Sequence, residues 1–540
     1  MMAGPMECHC LRAVELPDTT PLYASYVEDF ASVARFYAHA PTFEQVGRLA
    51  REVRLDPALR AGVTEVLRGQ NRAFGGDTAV EAGLDRLAAG AAAIVTGQQV
   101  GLFSGPSYTF YKAITALRLA ADLTAADTPT VAIFWLATED HDLAEVNHCY
   151  WPTRGEPARL ELPAEGIANR RVGSVPLGEA ATALVARAGG MLEGPARKEV
   201  LQALEECYRP AETYGSAFGK LMARMFAGTG LILLDPMSAE LHRLAAPVYR
   251  AALEQSGELT KELVERGKAL EQAGYHAQVK VGGENTLLFV DVEGERVPLR
   301  ARDGGFALGK RAVSLAEASQ LLAEKPEAFS PNALLRPVVQ DSLLPTAAYV
   351  GGPAEIAYLA QASVVYQRVL GRMPVMMPRA SFTLVDPHAG RHLRKYGVEL
   401  ADMFRGQLYL RSKMEQVVLP AELARCLADS EKSLRELLAG LREPISKVDA
   451  TLVGALETAE SKILYQFGNL AGKAAHAVAQ RSAVLDTHER ELMGSLYPRG
   501  GLQERSLCFL PMLAAQGMGL IEELVRRATP GGTKHQVLYL

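Results

Sequence analysis

Residues 91–136, AAAIVTGQQVGLFSGPSYTFYKAITALRLAADLTAADTPTVAIFWL, hold two apolar runs separated by a glycine-punctuated turn and a helical pattern. Ala91 to Val95 is a short apolar run that stops at Thr96-Gly97. From Tyr108 to Asp122 the spacing predicts a helix, with Ile114, Leu117 and Ala121 on one face. Thr130 to Leu136 is β-branched and aromatic, the composition of a strand. Strand, helix, strand at this spacing is a βαβ unit, which requires a parallel sheet buried on both faces.

The pattern resumes downstream. Gly230 to Asp235-Pro236 reads as another buried strand, and Ala347 to Val350 as a short one. Gly351-Gly352-Pro353 then opens a helix to about Leu370, with proline at a first helical position where its missing N–H is harmless. Pro374 to Met377 makes one more strand, ending at Pro378-Arg379-Ala380-Ser381. Two insertions interrupt the series. One, about 143–229, reads as mostly helical; the other, about 274–310, alternates as in Thr286 to Val292 and predicts a small antiparallel meander.

From about Leu419 the texture is that of long helices. Leu452, Leu456, Ala459, Ile463, Phe467, Leu470, Ala474 and Ala477 step by threes and fours after Asp449, a good N-cap. With Leu423, Leu427, Leu434, Leu438 and Leu441 before them, they predict an antiparallel helical hairpin, its second arm helical over 450–495. Pro444 should kink or break the first arm near its end. The division that follows is a helical segment over 1–90, a sheet core over 91–385, a helical coiled-coil region over 386–498, and a segment returning to the core over 499–540.

The chain has 540 residues, 48% hydrophobic and 22% charged, with a formal net charge of −5. This is the balance of a folded protein with a sizeable core, and it argues against a broad nucleic-acid footprint. No apolar run approaches the roughly 18 residues of a membrane helix. The start, MMAGPMECHC, lacks a basic stretch followed by an apolar one, so no secretory signal is expected. Six cysteines, four of them scattered singly and none in a CxxC pair, fit a reduced, cytoplasmic protein, and the one cluster, Cys8-His9-Cys10, is expected in a frayed tail.

Polar and glycine clusters follow nearly every predicted strand: Thr96-Gly97-Gln98-Gln99, Glu139-Asp140-His141-Asp142, Asp235-Pro236, Gly351-Gly352-Pro353 and Arg379-Ala380-Ser381. In an open parallel sheet these ends form one edge, where ligands bind. Gly97, Gly101 and Gly105 let the first loop approach a ligand, and the helix start beyond it favours an anion. Lys112 is placed either to reach that anion or in solvent. The loop is neither GxGxxG nor GxxxxGK[ST], so a standard dinucleotide or P-loop site is not supported. Crowded like charges at Glu139 to Asp142 should raise one carboxyl pKa and provide an acid/base beside His141.

Two other readings stay open at this point. His141, Glu145 and His148 have the spacing of a metal-dependent hydrolase site, although Asp140 and Asp142 could instead cap a helix. A coiled-coil, nucleotide-binding scaffold without turnover is the other. His388 and His392 share a helix face but lack a carboxylate partner in sequence, so they read as surface residues, and no metal is expected.

Six stretches carry a family resemblance: residues 96–120, FWLATEDHDLAEVNH (134–148), LLDP (233–236), GYHAQV (274–279), YVGGPAEIAYLAQ (349–361) and LQER (502–505). Together they resemble the bacillithiol biosynthesis cysteine-adding enzyme family, from about residue 15 to the terminal VLYL. The resemblance implies a Rossmann-like core with connective insertions and a coiled coil through which two subunits associate. It implies a carbon–nitrogen ligase joining cysteine to malyl-glucosamine. The active-site loops it implies are Thr96 to Gly105, including Gly97, Gln98 and Gln99; Glu139, Asp140, His141 and Asp142 with His148; Gly351 and Gly352 with Glu355; and Arg379 with Ser381. It also implies an ADP or ATP pocket near the base of the coiled coil, here Tyr497, Gln503 and Arg505.

Overall fold

The computed structural model describes residues 7–164, 169–479 and 483–540. At its centre is a five-stranded sheet of β1 (Ala92–Gln98), β2 (Thr130–Leu136), β3 (Ile232–Leu234), β4 (Thr346–Gly351) and β5 (Val375–Pro378). The order is β5-β4-β1-β2-β3, and every pair is parallel. Ala92 faces Thr130 and Gln98 faces Leu136, so β1 and β2 run in register along their whole length. This is the strand order of a Rossmann-like sheet, with a reversal of winding between β1 and β4.

Alternate residues supply the two cores, as the pleat requires. Ile94, Phe134, Leu233 and Val350 pack on one face with α1 (Tyr108–Ala125). Val95, Trp135, Leu234 and Tyr349 pack on the other, with α2 (Ala239–Glu254) and α3 (Pro353–Val369). Helix α1 is buried on more than the one face its spacing predicts. Phe110 and Tyr111 meet Phe509, and the 510–527 helices cover its far side, whereas Ala121 is exposed.

The insertions are less uniform than their composition suggests. The first holds a two-stranded antiparallel sheet, His148–Trp151 with Ala158–Glu161, beside its helices; residues 165–168 of this insertion lie outside the described residues. The second is an antiparallel meander from Asn285 to Val313, extended by Phe329–Pro331. Cys8–Arg12 is a strand and not a frayed tail: it pairs antiparallel with Lys534–Tyr539, which runs parallel to Ser381–Val385. Chain start and chain end thus close one small sheet.

Beyond Val385 come α4 (Pro387–Tyr396), α5 (Ala421–Val448), α6 (Leu452–Ala479) and α7 (Ala483–Leu496). Helices α5 and α6 form the antiparallel hairpin, and the expected continuous helix crosses 480–482, which lie outside the described residues. Pro444 does not break α5. The helix runs on to Val448 because only one turn follows the proline, and a single exposed backbone bond is lost. Among the described residues no helix is long and apolar enough to cross a membrane.

Candidate active site

Helix α1 leaves β1 on one face of the sheet and α3 leaves β4 on the other, so a crevice opens between them at the carboxyl ends of the strands. Its volume is about 590 Å³, within the range of small-molecule sites. Gly97, Gln98 and Gln99 line it after β1, Glu139, Asp140 and His141 after β2, Pro236 after β3, Gly352 to Glu355 after β4, and Arg379 after β5. A larger groove, about 990 Å³, lies at Thr346 and Met373, the amino ends of the strands, and its Arg368 is paired with Glu262. The carboxyl-end crevice is where the ionisable groups converge.

Its floor is an ion pair. Lys112 is almost wholly buried; its ammonium donates to Gly97 O at 2.8 Å and Gln98 Oε1 at 2.7 Å, and meets Glu355 Oε2 at 2.5 Å. The solvated alternative for Lys112 is thereby corrected. Glu355 also accepts from the Gly352 N–H and the Tyr349 hydroxyl. Burial opposes ionisation of both groups, lowering the Lys112 pKa, but Lys112 and the Gly352 N–H hold the Glu355 carboxyl below its ordinary value. Glycine is needed at position 97 because a Cβ there would lie 2.8 Å from Trp135 O on the neighbouring strand.

Glu139 is the unusual carboxyl. Burial pushes its pKa up to about 7, against the pull of Arg171 and Arg296. Its Oε1 lies 3.3 Å from His242 Nε2 on α2, but neither atom is aligned for a hydrogen bond. His242 is held neutral, its pKa lowered to about 3 by burial and by Arg171. A carboxyl that titrates near neutrality, with an unpartnered buried oxygen, is suited to take up and release a proton. His141 sits beside it, and its Nδ1 accepts from Arg296 Nη1 at 2.8 Å. Burial and Arg296 lower the His141 pKa, which leaves a neutral ring with its proton on Nε2. Asp140 and Glu145 are both gripped by the Gln99 amide, at 2.7 and 2.8 Å.

Several residues named from sequence have other work. The Thr96 hydroxyl donates to Val350 O inside the sheet. Gly105 has a φ of 67° in a buried loop where Phe103 and Ser104 also have positive φ, and the loop packs on Cys508. The start of α1 is not open to an anion, since Ser107 donates through both N–H and hydroxyl to Leu507 O. Asp142 caps the 143–146 helix by accepting from Glu145 N. His148 leans on Tyr150 in the insertion sheet, outside the crevice lining. Gly351 accepts from Arg379 N as the last residue of β4.

Arg379 spends its planar fork on Glu504, at 3.0 and 2.6 Å, and Ser381 donates to the same carboxylate. Gln503 is buried with its amide bonded to Leu384 N, Leu384 O and Ser495 O. Tyr497 packs against Phe404 in a third core, whereas Arg505 is exposed on the crevice rim. Of Tyr497, Gln503 and Arg505, only Arg505 lines the crevice. His141, Glu145 and His148 do not converge: among the described residues, the one His/Cys/Asp/Glu group with ligand atoms within 4.8 Å is His388, His392 and Glu491.

The crevice also recruits residues outside the polar clusters that follow the strands. Arg296 comes from the meander, stacked on Phe289 at 3.8 Å and bonded to Ser330 and Pro331 O. Arg336 stands against the Tyr349 and Tyr358 hydroxyls. Tyr108, at the start of α1, is within reach of Gln98. Asn332 Oδ1, accepting from Leu334 N and Leu335 N in the turn before the Arg336 helix, is a local signal for that turn.

Two family models together span the described chain. "Bacillithiol biosynthesis BshC, N-terminal Rossmann-like domain" matches residues 6–380, and "Bacillithiol biosynthesis BshC, C-terminal coiled-coil domain" matches 382–540. Among relatives, a protein of Koribacter versatilis named "Putative cysteine ligase BshC" is 40% identical over 520 residues, covering 96% of this chain and 97% of its own. Proteins of the same name from Solibacter usitatus and Salinibacter ruber are 37% and 31% identical, covering 99% and 96% of this chain and 100% and 96% of their own. With a Rossmann-like sheet, a coiled-coil hairpin and near-complete coverage in agreement, the chain belongs to the BshC family of bacillithiol biosynthesis.

Proposed function

We propose that this chain is a cytoplasmic carbon–nitrogen ligase that joins L-cysteine to malyl-glucosamine by an amide bond. Family membership and the relatives' printed names support the ligase class. The observation that carries the reading is Glu139, a buried carboxyl with a pKa of about 7 and an unpartnered oxygen in a crevice that also holds Lys112, Arg296 and Arg336. An amine must lose a proton before it attacks a carboxyl carbon, and Glu139 is poised to accept one at neutral pH.

In this reading the malyl carboxylates lie toward the exposed Arg505 and the start of α3, where first-turn N–H groups favour an anion. The glucosamine ammonium lies toward Glu139. His141, its Nδ1 held by Arg296, presents its Nε2–H as a donor to the substrate in the crevice. Gln98 and Gln99 present neutral amides held by Lys112 and by Asp140. Amide formation from a free carboxylate also requires an activated acyl group; the residues on the crevice wall account for binding and proton transfer.

Deleting the gene from its host and measuring thiol and malyl-glucosamine by mass spectrometry tests the proposal. The thiol should vanish and the precursor accumulate, and the intact gene should reverse both while the Glu139→Gln/His141→Ala variant should not. Unchanged thiol in a strain with no second copy overturns it.

A further inference from the structure

Helix α4 opens with Asp386 as its N-cap, accepting from His388 N and Ala389 N, and with Pro387 at its first position. This firm start puts His388 and His392, one turn apart, on the same face. Opposite them α7 presents Glu491. His388 Nε2 and His392 Nε2 each lie 3.0 Å from Glu491 Oε2, and 3.1 Å from one another. His392 and Glu491 are largely buried, whereas His388 is about half exposed.

Three lone-pair atoms at nearly equal separations form a small triangle. In tetrahedral zinc sites with bonds of about 2.0–2.2 Å, neighbouring ligand atoms are roughly 3.3 Å apart. The triangle here is close to one face of that tetrahedron, so a cation about 1 Å above its plane would reach all three atoms. Hydrogen bonding alone serves the group poorly. With both Nε2 atoms protonated, two N–H groups confront each other; with one bare, its lone pair faces the carboxylate.

We propose that His388, His392 and Glu491 bind a divalent zinc-type cation. Two imidazoles and one carboxylate suit zinc and exclude the oxygen-seeking magnesium and calcium. His488, one turn before Glu491, stacks on His392 at 3.8 Å between ring centroids and donates to or accepts from the Tyr396 hydroxyl, which fixes the His392 ring from behind. Arg391, exposed, now contacts His388 Nδ1 at 3.2 Å. Ligation through Nε2 moves the proton to Nδ1, so Arg391 gives up this contact to solvent. An adjoining cleft of about 300 Å³, bounded by Thr153, Glu193 and Asp386, leaves room for a fourth ligand.

The site shares no residue with the crevice. It joins the helix that follows the small terminal sheet to the helix returning from the hairpin, two helices that already share the third core.

The test uses the full chain, stripped with a chelator, in a Cys8→Ser/Cys10→Ser background that removes the thiols near His9. Zinc is titrated against a chromophoric chelator, cobalt(II) absorption is recorded, and the melting temperature is followed. One equivalent of zinc per chain, four-coordinate cobalt bands without thiolate character and a zinc-dependent rise in melting temperature are expected. His388→Ala, at the half-exposed ligand, and the isosteric Glu491→Gln should each weaken zinc binding at least tenfold and abolish the rise, with unchanged circular dichroism in the absence of metal. Sub-stoichiometric binding, or affinity in both variants within twofold of the background protein, overturns the site.

Discussion

The Lys112 ammonium and the Glu355 carboxylate meet 2.5 Å apart beneath the crevice, tying the helix after β1 to the helix after β4. These two helices lie on opposite faces of the sheet, so the pair bridges the point where the winding reverses. Both charges are largely buried, and each is the other's main compensation. Replacing Lys112 by Met leaves Glu355 charged and buried, and should destabilise by about 3–5 kcal/mol. Adding Glu355→Gln should recover much of that loss. Denaturant melts of both single variants and the double variant measure the coupling; equal losses in Lys112→Met and in the double variant would show that the pair is not a unit.

Glu139 makes stability depend on pH in a defined window. Below about pH 4.5 the carboxyl is protonated in folded and unfolded chains and contributes nothing. Between 4.5 and about 7 only the folded chain keeps the proton, so stability falls as pH rises. Above 7 the full penalty, on the order of 3 kcal/mol, is present. Glu139→Gln should therefore be more stable than the parent at pH 8, with the gap closing toward pH 5. The same variant should lose about 10²-fold or more in turnover, and the parent's rate should rise with pH through 7 as the base ionises. A gap that is constant from pH 5 to 8 would refute the assignment.

Much of the sheet was legible because a strand buried on both faces is a continuous apolar run. Thr130 to Leu136 was delimited correctly, and β1, β4 and β5 were displaced by one to three residues. The polar clusters after the strands were legible for the same reason, since they interrupt those runs. Long-range partners were not. His242, Arg296 and Arg336 sit in segments whose local pattern is that of ordinary helices and a meander, and only the tertiary fold brings Arg296 and Arg336 into the crevice and His242 against Glu139. His388 and His392 looked partnerless because Glu491 lies 99 positions beyond His392. Lys112 could not be placed from sequence, since its partner Glu355 belongs to another βα unit.

Arg379 and Arg505 should separate stability from binding. Arg379 is buried and bidentate on Glu504, so Arg379→Lys loses the fork and should destabilise by roughly 2 kcal/mol. Arg505 is exposed on the crevice rim, and Arg505→Ala should leave the melting temperature within a degree or two while raising KM for the anionic substrate about tenfold. Steady-state kinetics beside thermal melts decide this. A KM effect confined to Arg379→Lys would reverse the two roles.

The hairpin carries the last prediction. Helix α5 half-covers Leu456, Phe467 and Ala474 of α6, but Leu452, Ile463 and Leu470 remain exposed at spacings of 11 and 7, which return to the same side of a helix. Leu437, Leu441 and Val448 form a matching exposed row on α5, with Val448 80% and Leu437 64% accessible. Two such rows on one projecting hairpin exceed the scattered apolar residues of an ordinary surface, and their near-heptad spacing suits helix-to-helix packing. A second copy of the same hairpin presents the complementary rows, so the chain is proposed to dimerise there. Light scattering at micromolar concentration should give twice the chain mass. Ile463→Glu with Leu470→Glu should give a monomer with the same circular dichroism, because both side chains are already exposed in the single chain. A monomeric parent protein, or a double variant that stays dimeric, would place the contact elsewhere or remove it.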